Sequence, residues 1–344
     1  MRVTDSLLDS RGEQKLYSVL ATTFNGLSGG FVPQISFSQL FDASRAEIAN
    51  LAPKDMHDPF GWYLMSDVDL TFCEGRDHRP VFSIEFDGLT KGFSRNGSFV
   101  PAPESPDPRL AAERAAKLDL KVRMAREAEY PLIVIGWDEL AAVGKNEFLT
   151  IIDGLAAEIL APLIAGRRLD DGWEPEPLEV SEVSEPDPVA RAAIESAWRS
   201  HSAGEEVRAE IDPFVRASKL LELELTALGE LWEETTFSFE PPVTADRRDV
   251  RATVRAEQAA RFVVATAEAG VGDLRTTQRS RMRNLWAPLT ASAKLVPAAI
   301  RNSPDFAMTG PPIAKNVTKR VARYLALLDL LDQATSSGDD PRAA

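Results

Sequence analysis

Two short segments constrain this chain more than anything else in it. Val81-Phe82-Ser83-Ile84-Glu85-Phe86-Asp87 carries a two-residue alternation, which a β-strand turns into two distinct faces. Glu85 and Asp87 then share one face. Upstream, the stretch from Tyr63 to Phe72 reads YLMSDVDLTF. As a strand it places Leu64, Ser66, Val68 and Leu70 on one side and Met65, Asp67, Asp69 and Thr71 on the other. The polar residues from Glu74 to Arg79 read as a turn between the two, and Gly88 ends the second. A hairpin is therefore predicted in which Asp69 can face Glu85 and Asp87.

Carboxylates gathered on one sheet repel each other unless something neutralises them, and a hard divalent cation is a common solution. Asp69, Glu85 and Asp87 are accordingly the candidate ligands of Mg²⁺ or Mn²⁺, with Asp67 a rival to Asp69. Such a site can activate water against a phosphodiester. The competing reading is a solvated sheet face, which alternates polar and apolar residues for that reason alone.

The flanking elements follow from periodicity and caps. Ser10-Arg11-Gly12-Glu13 has the capping-box pattern and predicts a helix over 11–24. Residues 31–37 read as a strand, with Pro33 pointing to an edge or an early position. Residues 37–51 read as a helix and 89–108 as a loop. A helix follows over 109–128. Pro131-Leu132-Ile133-Val134-Ile135 reads as a wholly apolar strand at the buried centre of a sheet. A further helix is expected over 138–164, with a break near Gly144.

This order of elements and acids resembles the PD-(D/E)XK, or restriction-endonuclease-like, nuclease superfamily. The nearest branch is the very-short-patch-repair-like and uncharacterised bacterial one, which carries an I-E-x-D-G segment. The matching residues are Val68-Asp69-Leu70-Thr71-Phe72 and Ile84-Glu85-Phe86-Asp87-Gly88. Glu13 stands for the acid of the first helix. Lys117, Asp119 and Lys121 stand for the polar helix, and residues 131–135 for the strand after it. The resemblance covers about residues 8–165. It implies an α/β fold with an αβββαβ core and Mg²⁺-dependent hydrolysis, in DNA rather than RNA, in repair, restriction or defence. It departs in two places. Asp87 stands where the superfamily has a lysine two residues after the Glu, and Lys91 stands where this branch has a histidine. Lys91 or Lys121 is expected to replace the missing lysine. The alternative is an inactive nuclease-like module that binds nucleic acid or protein.

The chain has 344 residues and a formal net charge of −14. That length suggests about two domains. Expected are a nuclease-like domain over 1–170, an acidic Pro-rich linker over 171–189, a mainly helical domain over 190–335, and a disordered tail over 336–344. Within the linker, WEPEPLEVSEVSEPDPV holds six acids, four prolines and no base. Residues 246–323 hold 15 Lys/Arg against 6 Asp/Glu, so a localised phosphate contact is compatible with the acidic total. Arg275, Arg279 and Arg283 recur every four residues, which on a helix makes one basic face. Lys319, with Lys315, Arg320 and Arg323, forms a second cluster. Both are candidate nucleic-acid contacts. The rival reading is an interface with the very acidic first half, or an exposed face. Cys73 stands alone and reads as a small core residue. The three histidines lack zinc-site spacing. No secretory signal or membrane span is predicted, which makes a cytoplasmic location the expectation.

Overall fold

Asp67–Glu74 (β2) and Arg79–Phe86 (β3) form the antiparallel pair that their alternation demands, with Leu70 opposite Ile84 and Phe72 opposite Phe82. The computed structural model describes residues 17, 29–74, 78–88, 90–93, 99–102, 107–128, 130–175, 199, 202–240, 262–283 and 313–338. Apart from Tyr17, which is helical, the predicted helix over 11–24, with Glu13, lies outside the described residues, as do linker residues 176–189. The chain is mixed α/β and divides into two compact units. The described residues up to Leu140 belong to the first, together with Arg283. Those from Ala141 to 240, 262–282 and 313–338 belong to the second. The boundary after Leu140 replaces the expected one at 170.

The first unit is built on a four-stranded sheet in the order β1-β2-β3-β6. Gly29–Ser36 (β1) is the edge strand, where Pro33 costs no inter-strand bond on its open side. Residues 37–51 form two helices rather than one, Phe37–Leu40 (α1) and Arg45–Leu51 (α2). The split has a local cause. The Ser44 hydroxyl and the Glu47 carboxylate cap each other's backbone amides, which starts a new helix. A second correction concerns Tyr63–Ser66, expected as strand. Asp58 caps Gly61 N–H ahead of Pro59, and Pro59–Met65 (α3) is helical. The strand proper starts at Asp67.

The expected loop 89–108 contains a small hairpin, Thr90–Phe93 (β4) with Phe99–Pro101 (β5). Pro108–Glu127 (α4) begins on Asp107, whose Oδ1 accepts from the amides of Arg109 and Leu110 at 2.9 and 3.2 Å. It carries the chain over to Leu132–Ile135 (β6), which pairs in parallel with β3, Glu85 level with Val134. β6 is an outer strand of the described sheet, not its centre, although all four residues are buried.

The aromatic side chains of one sheet face pack tightly. Phe72 is 1% exposed and stacks on Phe82 at 5.3 Å between ring centroids. Phe72→Ala is therefore expected to cost about 3–5 kcal/mol in urea unfolding. Phe148→Ala, at a position 89% exposed, should stay within about 0.5 kcal/mol of wild type.

The expected helix 138–164 is also broken up. Trp137–Leu140 (α5) is one turn, Ala142–Val143 (β7) and Asn146–Thr150 (β8) form a hairpin, and Ile151–Asp170 (α6) follows. Gly144, at φ +63°, supplies the left-handed residue of that turn. Asp153 accepts from both the amide and the hydroxyl of Thr150, which starts α6.

The second unit holds a sheet besides the expected helices. Alongside α6, the helical stretch 202–211 and Pro213–Thr226 (α7), it contains a three-stranded antiparallel sheet. The strands are Leu231–Glu240 (β9), Phe262–Val271 (β10) and Leu274–Arg283 (β11). Ile313–Gly338 (α8) lays Ala322, Ala326, Leu327 and Leu330 against Ala265, Ala267, Ala269 and Val271. It runs three residues into the stretch assigned to the disordered tail. The error was the helix over 274–283. A spacing of four is roughly one helical turn and also two full strand repeats, so the arginine spacing alone does not separate the two. Val271-Gly272-Asp273-Leu274, with Gly272 at φ +57°, is the tight turn that settles it. Among the described residues no helix is long and apolar enough to cross a membrane.

Candidate active site

The antiparallel register that sets Leu70 opposite Ile84 carries Asp69 to the level of Glu85. Both are nearly buried, at 8% and 5% exposure. One Asp69 oxygen accepts the Phe86 N–H at 2.6 Å, so its carboxylate lies against the backbone next to Glu85. Glu85 is level with Val134, a member of the core cluster that includes Leu118, Leu120 and Val122 of α4. Lys121 reaches it from that helix.

Lys121 Nζ lies 2.6 Å from Glu85 Oε1 and donates at 2.6 Å to the carbonyl of Asp67. Its ammonium also sits 5.3 Å from the centre of the Phe37 ring. Three elements thus hold one lysine in place. The second oxygen of Glu85 is buried and has no hydrogen-bond partner among the described residues. A buried carboxylate oxygen with nothing to accept from is costly unless a cation or donor arrives.

Asp87 follows a different course. It lies just past β3, is 1% exposed, and its Oδ2 accepts from Arg283 Nη1 at 2.6 Å. Glu139, fully buried, accepts from the amides of Gly136 and Arg283, each at 2.8 Å. The Arg283 guanidinium also packs on Gly136, where an added Cβ would come within 2.5 Å of it. Among the described residues no group of three or more His, Cys, Asp or Glu side chains is arranged to hold a metal. The structure therefore brings together Asp69, Glu85 and Lys121, and pairs Asp87 with Arg283.

Lys91 lies in β4, and its side chain is outside the described residues. Lys117 pairs with Glu113, and Asp119 with Arg123, on the same helix. Cys73 is buried on β2, and burial pushes its thiol pKa up, in keeping with a core role.

Among the described residues, the basic side chains of the second half have several separate surroundings. Arg275 and Arg279 are exposed on β11. The Arg275 guanidinium sits 5.3 Å from the Trp232 ring centre and donates to two carbonyls of its own turn. Arg281 pairs with Glu240 at 3.0 Å. Arg283 is only 13% exposed in its side chain and belongs to the Asp87–Glu139 cluster. Lys315 and Lys319 lie 3.9 and 6.0 Å from the Phe237 ring centre. Arg320 and Arg323 are spent on acids of the same unit, Glu158 and Asp212 for the first, Glu222 and Glu233 for the second.

Sequence reasoning missed Arg283 and Glu139 as neighbours of Asp87, and Arg114, which donates to the carbonyl of Phe86 at 3.3 Å. Arg114 was legible: with Lys117 and Lys121 it follows helical spacing along one face. Arg283 was not, since 196 residues separate it from Asp87. Compared with models of protein families, with curated proteins and with solved structures, the chain has no significant match.

Proposed function

We propose that this chain is a divalent-metal-dependent nuclease of the PD-(D/E)XK kind that hydrolyses phosphodiester bonds in DNA. The observation that carries the reading is the Asp69–Glu85–Lys121 cluster, with one Glu85 oxygen on the lysine and the other buried without a hydrogen-bond partner among the described residues. Three antiparallel strands, a helix and a strand parallel to the third also follow the order that the superfamily's core requires.

The donor set suits Mg²⁺ or Mn²⁺. Mg²⁺ is commonly bound by one or two carboxylates, with waters and substrate phosphate oxygens completing the shell. Asp69 and Glu85 would hold the ion, and it would supply Lewis-acid charge and a more acidic water. Lys121 is the group of this chain placed to meet negative charge developing on the phosphate. Glu85 and the Asp67 carbonyl fix its ammonium, so little reorganisation is needed at the moment of reaction. Asp87, occupied by Arg283, is assigned to holding the end of β3 rather than to metal.

A second reading, an inactive module that binds nucleic acid or protein, draws on that same loss of Asp87 to Arg283. Purified full-length protein incubated with supercoiled plasmid and Mg²⁺ or Mn²⁺ separates the two. Nicking or linearisation by wild type, reduced about 10²–10³-fold in Asp69→Asn and Glu85→Gln, supports the enzyme. Intact plasmid with wild type under both metals sinks it.

A further inference from the structure

Arg114 lies on α4 seven residues before Lys121, with Lys117 between them, so the three share one face of the helix. It touches the C-terminal end of β3 where the candidate site is built. Its Nη2 donates to Phe86 O, the residue between Glu85 and Asp87. Among the described residues, the other cations around that strand end have carboxylate partners. Lys121 has Glu85 and Arg283 has Asp87, while Lys117 pairs with Glu113. Arg114 is half-buried, and among the described residues no carboxylate lies within ion-pair distance of it. A guanidinium has five N–H donors in a planar fork, and a single neutral carbonyl uses one of them. A partly desolvated fork without a counter-ion suits a bidentate anion such as a phosphate.

We propose that Arg114 binds a backbone phosphate of the nucleic acid strand, next to the phosphodiester placed at Lys121. The inference rests on the nuclease reading for where the strand lies. Seven residues of helix amount to roughly 10 Å of rise, so Arg114 and Lys121 serve different phosphates of the strand. Arg114 is thus a substrate-binding residue, and α4 supplies both the reactive lysine and the grip on the flanking backbone.

The test is binding of a fluorescently labelled DNA duplex to full-length protein, by anisotropy, over a series of salt concentrations with Ca²⁺ replacing Mg²⁺. Each phosphate contact contributes about 0.9 to the slope of log affinity against log salt. Arg114→Ala should weaken binding and lower that slope by about 0.9, whereas Arg114→Lys should keep it. Arg114→Gln retains a donor for Phe86 O but no charge, and should behave like Arg114→Ala. A merely structural residue would lose affinity without a change of slope. A wild-type slope in both Arg114→Ala and Arg114→Gln overturns the inference while leaving the nuclease reading intact. Absence of duplex binding by wild type overturns both. A reduced slope in a protein that never cleaves plasmid supports the phosphate contact and removes only the catalysis.

Discussion

Lys121→Ala is expected to lower the rate of plasmid cleavage by about 10²–10³-fold, the usual effect of removing one preorganised group that meets developing charge. The same change has a second consequence. Glu85 is 5% exposed, and Lys121 is its ion-pair partner at 2.6 Å. Removing that partner leaves a carboxylate in the core, at a cost of about 3–5 kcal/mol in urea unfolding without metal. A dication held by Asp69 and Glu85 would restore the charge balance. Mg²⁺ should therefore raise the melting temperature of Lys121→Ala more than that of wild type, by linkage. It should not raise that of the double variant Asp69→Asn, Glu85→Gln. Lys121→Met, nearly isosteric and uncharged, separates packing from charge: it should match Lys121→Ala in rate. Full cleavage by Lys121→Met would assign the ammonium a structural role only.

The second large effect is expected in the other unit. Arg320 on α8 ion-pairs with Glu158 of α6 at 2.7 Å and with Asp212, the cap of α7, at 2.8 Å. Arg208 adds a further contact to Glu158 at 3.1 Å, and Asn316 a hydrogen bond at 3.0 Å. Glu158 and Asp212 are 8% and 0% exposed. Arg320→Ala is expected to destabilise this unit by about 3–5 kcal/mol, because two buried carboxylates lose a shared cation. Arg281→Ala, which removes a pair exposed on both sides, should change stability by no more than about 1 kcal/mol. Urea midpoints read both.

The same network sets an acid limb. Burial alone would raise the Glu158 pKa, but Arg320 and then Arg208 more than reverse it, so the carboxyl titrates below the ordinary glutamate range. A carboxylate lowered in the folded state contributes stability that is present above its unfolded pKa. That stability is lost as pH falls through the folded value. Asp212 works the other way. Burial raises it and Arg320 only partly offsets this, so its cost at neutral pH is relieved on acidification. Glu158→Gln should accordingly be less stable than wild type at pH 7 and show a smaller loss of stability on acidification. An acid limb unchanged from wild type would remove Glu158 from this role.

Much of the first unit was open to reading from its residues. The alternation in Val81–Asp87 settles β3, and Pro33 points to the edge position of β1, because strand geometry acts over a few residues. Asp107-Pro108 and Ser44-Glu47 are caps of the same local kind. What failed also failed locally. Tyr63–Met65 is apolar enough for a strand, yet Asp58-Pro59 starts a helix there. The arginines at 275, 279 and 283 fit two periods at once, and only the turn at Gly272 and the packing of β10 against α8 select the strand.

The pairing of carboxylates with cations belongs to the tertiary structure. Asp69, Glu85 and Lys121 could be named as candidates from alternation and resemblance, since each lies in a segment with a clear period. That Lys121 would meet Glu85 across 36 residues, while Asp87 met Arg283 across 196, follows from how α4 and the end of β11 are placed. Side-chain type and spacing determine which face of an element is charged. Which opposite charge reaches that face depends on long-range packing, where burial penalises each unpaired group and so selects among partners that composition leaves equivalent.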